Sequence, residues 1–453
     1  MTVVPTGHHV YPGRGGPGSP RLLAGLAGRH TGGRQVGLHE HERLFGPLPL
    51  PLPPERRGGN GASEQRAASR LIDLVERSGL TGRGGAGFPA GRKLRSVAAG
   101  RGKAVVVANG SEGEPASHKD RLLLRRAPHL VLDGISLAAF AVGATEAYLV
   151  VHGDDGRLVA SLLGAVQARK VAGLDQVAIN VVGIEHRYVA SEQTAIVQWI
   201  NGGPGLPTFA PPRTHERGVG GRPTAVNNVE TLAHIALIAR YGSDWFRQAG
   251  TPDAPGTALA TVTGAITRPG VYEIELGTPI GDLVMRAGGP TEYPQAVLVG
   301  GYFGTWLPAD VARQARLSGS ALRSVRAAMG AGILVVLPES SCGLAETARV
   351  VRYLANQGAG QCGPCVFGLP ALAKALAALV YRGGSGDGVD QIASLIPLIE
   401  RRGACRHPDG ATQLAASALT AFRDDARMHD LYGPCSGVRR PSLLPIPGAG
   451  LAR

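Results

Sequence analysis

Residues 79–93 read Gly79-Leu-Thr-Gly-Arg-Gly-Gly-Ala-Gly-Phe-Pro-Ala-Gly-Arg-Lys93. Glycine reaches positive φ without a Cβ penalty, so such a stretch bends tightly and turns bare N–H groups toward an anion. Arg83, Arg92 and Lys93 add positive charge beside it. The string Gly82-x-Gly84-x-x-Gly87 matches the dinucleotide fingerprint only literally, because that fingerprint must follow a strand and open a helix. Here Arg66 to Arg77 reads as a helix, with Leu71, Leu74 and Val75 on one face and Ser78-Gly79 as its stop. The loop is therefore a phosphate or flavin loop of another kind. A flexible linker fits less well, since Phe88-Pro89 and Lys93 interrupt the glycines with specific chemistry.

Outward from the loop, strand and helix patterns alternate over 63–248. Strands are expected at Ala104 to Ala108, Glu146 to Val151 and Val177 to Val182. Helices are expected at Ala127 to Val142, Arg157 to Arg169, Ser191 to Ile200 and Val229 to Tyr241. Such alternation implies an α/β, Rossmann-like parallel sheet with helices on both faces. Ligands bind there at the carboxyl ends of the strands, where Asn109 to Lys119 falls. Residues 257–335 read as a small mixed α+β module, with strands at Ala260 to Gly264, Gly270 to Ile274, Val297 to Val299 and Ile333 to Leu337, and a helix at Pro279 to Ala287. Residues 338–430 read as a four-helix bundle with cysteines at helix ends. An irregular extension (1–62), with an extended Pro47 to Pro54 connector, and a tail (431–453) flank these parts.

The chain has 453 residues, enough for about two to four domains, and a formal charge of +13. That balance favours anionic cofactors or acidic partners, and equally fits a general preference for arginine. No basic helix, aromatic-interleaved basic strand or zinc-finger spacing points to nucleic acid. Five cysteines, with one close Cys362-x-x-Cys365 pair, favour metal or redox use over a disulfide framework. No apolar run reaches the roughly 18 residues of a membrane span and no signal pattern opens the chain. A cytoplasmic protein without direct membrane insertion is expected.

Several long motifs, in one order over about 63–425, carry a resemblance. They are Ser78-Gly-Leu-Thr-Gly-Arg-Gly-Gly-Ala-Gly-Phe-Pro89, Asn109-Gly-Ser-Glu-Gly-Glu-Pro115, Lys119-Asp-Arg121, Glu192-Gln-Thr-Ala195, Gly221-Arg-Pro-Thr-Ala-Val-Asn-Asn-Val-Glu-Thr231 and Gln361-Cys-Gly-Pro-Cys365. The chain resembles the FMN-carrying, NADH-binding subunit of respiratory complex I and its relatives in hydrogenases and formate dehydrogenases. Val262-Thr-Gly264 and Arg268-Pro-Gly-Val-Tyr272 resemble the β-grasp (SLBB) module that follows the flavin domain there.

The resemblance implies a flavoprotein oxidoreductase passing hydride from NADH to FMN and electrons on through an iron–sulfur centre. It places Gly82, Arg83, Gly84, Gly85, Gly87 and Lys93 around the FMN phosphate. Asn109, Ser111 and Glu112 would contact the flavin ring and ribityl chain, with Asn227 and Asn228 closing the pocket. Asn227-Asn228 also reads as the N-cap of the following helix. Phe88 would stack on the dinucleotide, and Glu114 would lie close to the hydride-donating ring as the candidate catalytic residue. Glu192 matches the first carboxylate of a Glu-Glu pair.

The chain departs from the pattern at Gln193, Ser96, Ala210 and Arg213, where the family has a second glutamate, an aromatic, a lysine and a phenylalanine. An acidic ferredoxin-like protein in place of NADH, or a non-catalytic assembly role, are the alternatives these losses leave. Other redox subunits are the implied partners. Cys362, Cys365 and Cys405 match three of the four ligands of a [4Fe–4S] cluster, and Ala359 stands at the first. A [3Fe–4S] cluster, a [4Fe–4S] cluster with a foreign fourth ligand, or no cluster follow from that loss. Cys342 is a candidate replacement and Cys435 reads as a free tail thiol.

Overall fold

The computed structural model of the chain describes residues 19–24, 35–50, 61–384 and 386–447. Strands β1 (Val105–Asn109), β2 (Glu146–His152), β3 (Ala178–Ile184) and β4 (Thr224–Asn228) form a parallel sheet ordered β3-β2-β1-β4. The first is apolar almost throughout because both faces are covered. Val106 and Ala108 join the core under helices α2 (Gly61–Ser78), α3 (Ala90–Ala98), α5 (Pro128–Val142) and α8 (Val229–Tyr241). On the opposite face Val105 and Val107 pack with Val150, Ile184 and Ile196, the last from α7 (Gln193–Ile200).

The expected strands and helices of this part are present within a few residues of their expected ends. Strand β4, helix α3 and helix α4 (Lys119–Arg126) were not foreseen. Thr224-Ala-Val-Asn-Asn228 is too short and polar to announce a strand, and its pairing with β1 makes it one. That register sets Asn227 opposite Ala108 and Asn228 opposite Asn109, which brings both asparagines to the carboxyl end of β1.

The N-terminal segment is less irregular than its composition suggests. Leu38–Phe45 forms helix α1, burying His41 and Phe45. His41 Nε2 lies 2.7 Å from Asp133, which also meets Arg169 at 2.7 Å and Arg240 at 2.5 Å. Burial alone would raise the Asp133 carboxyl, yet Arg240, His41 and Arg169 hold it well below the usual carboxylate range. Arg21 is buried as well, donating 2.9 Å to Phe246 O and lying 4.1 Å over the Trp245 ring. Residues 51–54 of the proline connector lie outside the described residues.

A second sheet has the spatial order Thr305–Pro308, Pro294–Val299, Ile333–Pro338, Thr257–Gly264, Gly270–Glu275. Only the Ile333–Pro338 and Thr257–Gly264 pair is parallel. The Thr305–Pro308 edge strand was not foreseen. Beyond it come the four expected helices, Gly343–Gln357, Leu369–Tyr381, Gly388–Ile399 and His407–Ala421, and an unexpected fifth, Arg423–Tyr432. The tail is docked: the Leu443 and Leu444 N–H groups donate to the Glu346 carboxylate at 3.0 and 3.1 Å. One further correction concerns length. A turn at Pro364–Gly368 runs into the second bundle helix, so Pro364–Tyr381 forms an 18-residue apolar stretch of mean hydropathy 1.6. Its Leu369, Leu372, Leu376 and Leu379 are buried in the bundle core.

Candidate functional site

The glycine loop lies between the sheet's carboxyl end and the second sheet. A Cβ on Gly84 would stand 3.2 Å from Asn228 Cβ, and one on Gly85, where φ is +105°, would stand 3.6 Å from Gly330 O. At Gly85 the positive φ, not crowding, is what calls for glycine. The Gly82 N–H donates to Phe88 O (2.8 Å) and the Arg83 N–H to Thr231 Oγ1 (2.9 Å), so both hold the loop's shape. Among the described residues no hydrogen bond engages the N–H groups of Gly84, Gly85 or Gly87. The Arg83 side chain turns inward, donating to Thr81 Oγ1 (2.8 Å) and Thr257 O (3.0 Å), with Glu230 3.9 Å from its Nε. Its guanidinium is a pin for the loop, which corrects its expected place as an anion ligand.

Lys93 and Asn227 complete the cradle. The Lys93 ammonium donates to the carbonyl of Val226 at 2.8 Å, and no carboxylate among the described residues pairs with it. Burial pushes its pKa down, the mark of a cation held without its anion. Asn227, the next residue along the strand, is 4 % exposed, and its Nδ2 donates to nothing. A buried amide donor left so is costly unless a ligand accepts from it. Asn228 does cap α8, accepting from the Glu230 N–H (3.0 Å), and it donates to Asp120 (2.6 Å). Lys119 meets Asp120 at 2.7 Å and Glu230 at 2.9 Å, a buried network that fixes this floor.

The Asn109–Glu114 segment turns most of its polar atoms inward. Asn109 donates to Ser191 O (2.9 Å) and accepts from the Ser111 N–H and hydroxyl. Glu112, at φ +35°, accepts from Ser117 Oγ (2.6 Å) and from the Asp120 and Arg121 N–H groups (3.0 and 2.9 Å). Both its oxygens therefore cap α4, and its carboxylate is not offered to the cleft as expected.

Glu114 accepts from Tyr188 Oη (2.9 Å) and the Tyr302 N–H (3.0 Å), while its Oε1 is buried without a partner. Burial raises its pKa to about 7, against the two hydrogen bonds, which lower it. A carboxyl raised in the folded state binds a proton the unfolded chain has already released, so stability falls as pH rises from the ordinary value toward 7. Glu114→Gln is expected to flatten that fall, which amounts to about 3 kcal/mol. Denaturant unfolding of both proteins between pH 5 and 8 checks it; parallel curves would count against it.

Tyr188, which sequence reasoning did not single out, joins this side to the cysteines. Its N–H donates to Gln357 Oε1 (3.0 Å), and its ring lies 5.6 Å from that of His407. The preceding Arg187 donates to Gly358 O at 2.7 Å. The quoted Glu192–Ala195 motif begins just after it and held the only signal. Cys365 is buried within hydrogen-bonding reach of Cys362, and burial, with Cys362 and Cys405 adding, pushes its thiol up to about 11. Cys405 is raised by burial, and then by the nearby Glu192 carboxylate and Cys362. Three thiols near enough to influence one another's ionisation suit an iron–sulfur centre that takes them as thiolates. Cys342 is no substitute at Ala359: it caps the start of the Gly343–Gln357 helix, which at 15 residues spans about 22 Å, whereas Ala359 follows its end.

On the nicotinamide side Phe88 is 48 % exposed, and Glu192 caps α7 by accepting from the Thr194 and Ala195 N–H groups. Phe209, also not foreseen, is 71 % exposed beside Ala210. It lines a cavity of about 520 Å³ with Thr194, Gln198, Pro212 and Arg217. None of the glycine-loop residues lines that cavity.

A parallel sheet with an anion cradle at its carboxyl end, joined through one tyrosine to cysteines on two neighbouring loops, is the build of a redox protein that relays electrons between two centres. Its relatives are of that kind. The Nuo51 FMN-binding domain matches residues 75–237, the SLBB domain 259–301, and the NADH-ubiquinone oxidoreductase-F iron-sulfur binding region 345–429. An F-type chain of NADH-quinone oxidoreductase from Rhizobium meliloti (strain 1021) is 31 % identical over 373 residues, covering 79 % of this chain and 88 % of its own. The corresponding NADH-quinone oxidoreductase chain of Mycobacterium tuberculosis (strain ATCC 25618 / H37Rv) is 30 % identical over 396 residues, covering 83 % and 87 %. Among solved structures, the NAD+-reducing [NiFe]-hydrogenase in the H2-reduced state aligns with a TM-score of 0.75 at 30 % identity. That alignment covers 81 % of this chain but 63 % of the hydrogenase chain. The chain belongs to the family of F-type chains of NADH-quinone oxidoreductase, which unites the Nuo51 FMN-binding domain with the iron–sulfur binding region.

Proposed function

We propose that this chain is an NADH dehydrogenase-type oxidoreductase that holds FMN against the glycine loop and an iron–sulfur cluster on Cys362, Cys365 and Cys405. The unpartnered Asn227 amide beside the anion-free Lys93 carries the reading. FMN, once bound, would supply the means of accepting a hydride and releasing electrons singly, a conversion no side chain here performs alone.

The chain's own residues bind and orient. The N–H groups of Gly84, Gly85 and Gly87, with the Lys93 ammonium, suit a phosphate dianion through charge-assisted hydrogen bonds. Gly82 shapes the bend. Asn227 Nδ2 offers a donor to an acceptor edge, and Asn109, Ser111 and Asn228 keep the walls rigid. Phe88 offers a face for stacking the dinucleotide, and Phe209 offers a second that compensates for Ser96 and Arg213. Glu114, with a pKa near 7, is able to hold a proton at its carboxyl and hydrogen-bond a polar edge of the dinucleotide. Glu192 lies close enough to Cys405 to influence its charge.

With Ala359 in place of a thiolate, the cysteines fit a [3Fe–4S] cluster or a [4Fe–4S] cluster whose fourth ligand comes from outside the chain. Other redox subunits would take the electrons, in the cytoplasm. Anaerobic titration of the flavin-loaded protein with NADH tests the donor: the flavin absorbance is expected to bleach at about one equivalent. A flavin that stays oxidised under NADH yet bleaches with a reduced ferredoxin-like protein would transfer the role to that acidic partner.

A further inference from the structure

Cys342, His429 and Cys435 meet at the opposite end of the Gly343–Gln357 helix from the Cys362–Cys365 turn. Cys342 is the N-cap of the Gly343–Gln357 helix, with its sulfur 3.4 Å from the Ala345 N–H. His429 lies in the last turn of Arg423–Tyr432, 1 % exposed, with Nε2 3.7 Å from Cys342 Sγ. Cys435 follows that helix, exposed, and the ligand atoms of all three lie within 4.8 Å of one another. The remaining ring nitrogen, His429 Nδ1, is buried and has no partner.

We propose that these three residues form a zinc site that fastens the C-terminal strap to the bundle. Zinc takes thiolate sulfur at about 2.3 Å and imidazole nitrogen at about 2.0–2.1 Å in tetrahedral sites, which sets a sulfur–nitrogen edge near 3.6 Å. The 3.7 Å between Cys342 and His429 meets that edge, and the metal would displace the Cys435 N–H, which lies 3.4 Å from the same Nε2. Binding forms two Zn–S bonds and one Zn–N bond and releases two thiol protons to water, with no change in oxidation state. The Ala345 N–H gives the resulting Cys342 thiolate one hydrogen bond. Exposure of Cys435 leaves the fourth position to water or an outside ligand.

The strap explains what such a site would secure. A Cβ on Gly437 would stand 2.8 Å from the Cys342 N atom, so the chain after Cys435 lies directly against the helix start. It continues to Leu443 and Leu444 on Glu346, and then to Pro445, whose carbonyl accepts from the Tyr302 hydroxyl. The N–H of the same Tyr302 holds Glu114. The site therefore anchors the near end of a strap whose far end touches a residue bound to the candidate catalytic carboxyl.

The test is metal analysis of the full chain, purified anaerobically without chelator from zinc-supplied cells. Wild type is expected to carry about one zinc per chain beyond its iron. Cys435→Ser, a surface change, is expected to lose it while keeping iron and flavin contents. Cobalt added to the zinc-stripped wild type should give a thiolate-to-cobalt absorption that Cys435→Ser lacks. Zinc-free wild type, zinc retained at full stoichiometry in the variant, or a Cys342–Cys435 disulfide found by mass spectrometry would each overturn the proposal. Loss of the flavin or of the iron centre in another variant bears on the proposed redox function and leaves this outcome unchanged.

Discussion

Asn227→Leu is expected to weaken FMN binding about a hundredfold while leaving the apoprotein as stable as wild type, or more so. The two effects have opposite origins. Without a ligand, the buried Nδ2 of Asn227 has no acceptor, so its removal relieves a desolvation penalty of about 1–3 kcal/mol. With the ligand, the same atom supplies a hydrogen bond in a site closed to water, and losing about 2–3 kcal/mol there is a factor of roughly 30–150 in affinity. Lys93→Met should behave alike, because its ammonium is buried beside the Val226 carbonyl without an anion of its own. Isothermal flavin titration and denaturant unfolding of the apoproteins check both halves. A variant that binds FMN normally, or one whose apoprotein is much less stable, would show that these atoms serve the fold alone.

Cys365→Ser is expected to abolish the iron centre almost entirely while sparing the flavin. Cys365 is buried at the start of the second bundle helix, and a Cβ on Gly358 would stand 3.4 Å from its sulfur. With Ala359 already lacking a thiol, removing Cys365 leaves two protein thiolates, too few to hold a cluster of either size. The glycine loop, Lys93 and Asn227 stand on separate elements, so the flavin content should hold. Iron and sulfide analysis after anaerobic reconstitution decides it. Ala359→Cys is the complementary change: it should raise iron from about three toward four per chain if the parent centre is of the three-iron kind. An unchanged cluster in Cys365→Ser would remove this cysteine from the ligand set.

Much of the architecture was legible because periodicity is a local signal. Val229–Tyr241 and Leu369–Tyr381 have the ends their patterns implied, and β1, β2 and β3 stand out as apolar runs. Strand β4 was not legible, because Thr224–Asn228 becomes a strand only by lying beside β1. The N-terminal helix was missed since its partners are distant in sequence: His41 meets Asp133 of α5, and the Phe45 carbonyl accepts from Tyr241 of α8. At the site, the motifs located the right segments but not the direction of each side chain. Arg83 and Glu112 sit in the expected places with their charges turned inward, toward Glu230 and the start of α4. For Arg83 the choice depends on Thr257 and Glu230, far along the chain, and for Glu112 on a local turn into α4 that residue types alone do not record. Tyr188 and Tyr302 escaped notice for the same reason, since their shared partner Glu114 is visible only in three dimensions.

Low-temperature EPR of the anaerobic, flavin-loaded protein after stoichiometric NADH tests the relay from flavin to cysteines most directly. A change in the iron–sulfur signal that follows flavin bleaching, and is lost in Cys365→Ser, is the expected result. Bleaching of the flavin with the iron signal unaltered would contradict the relay.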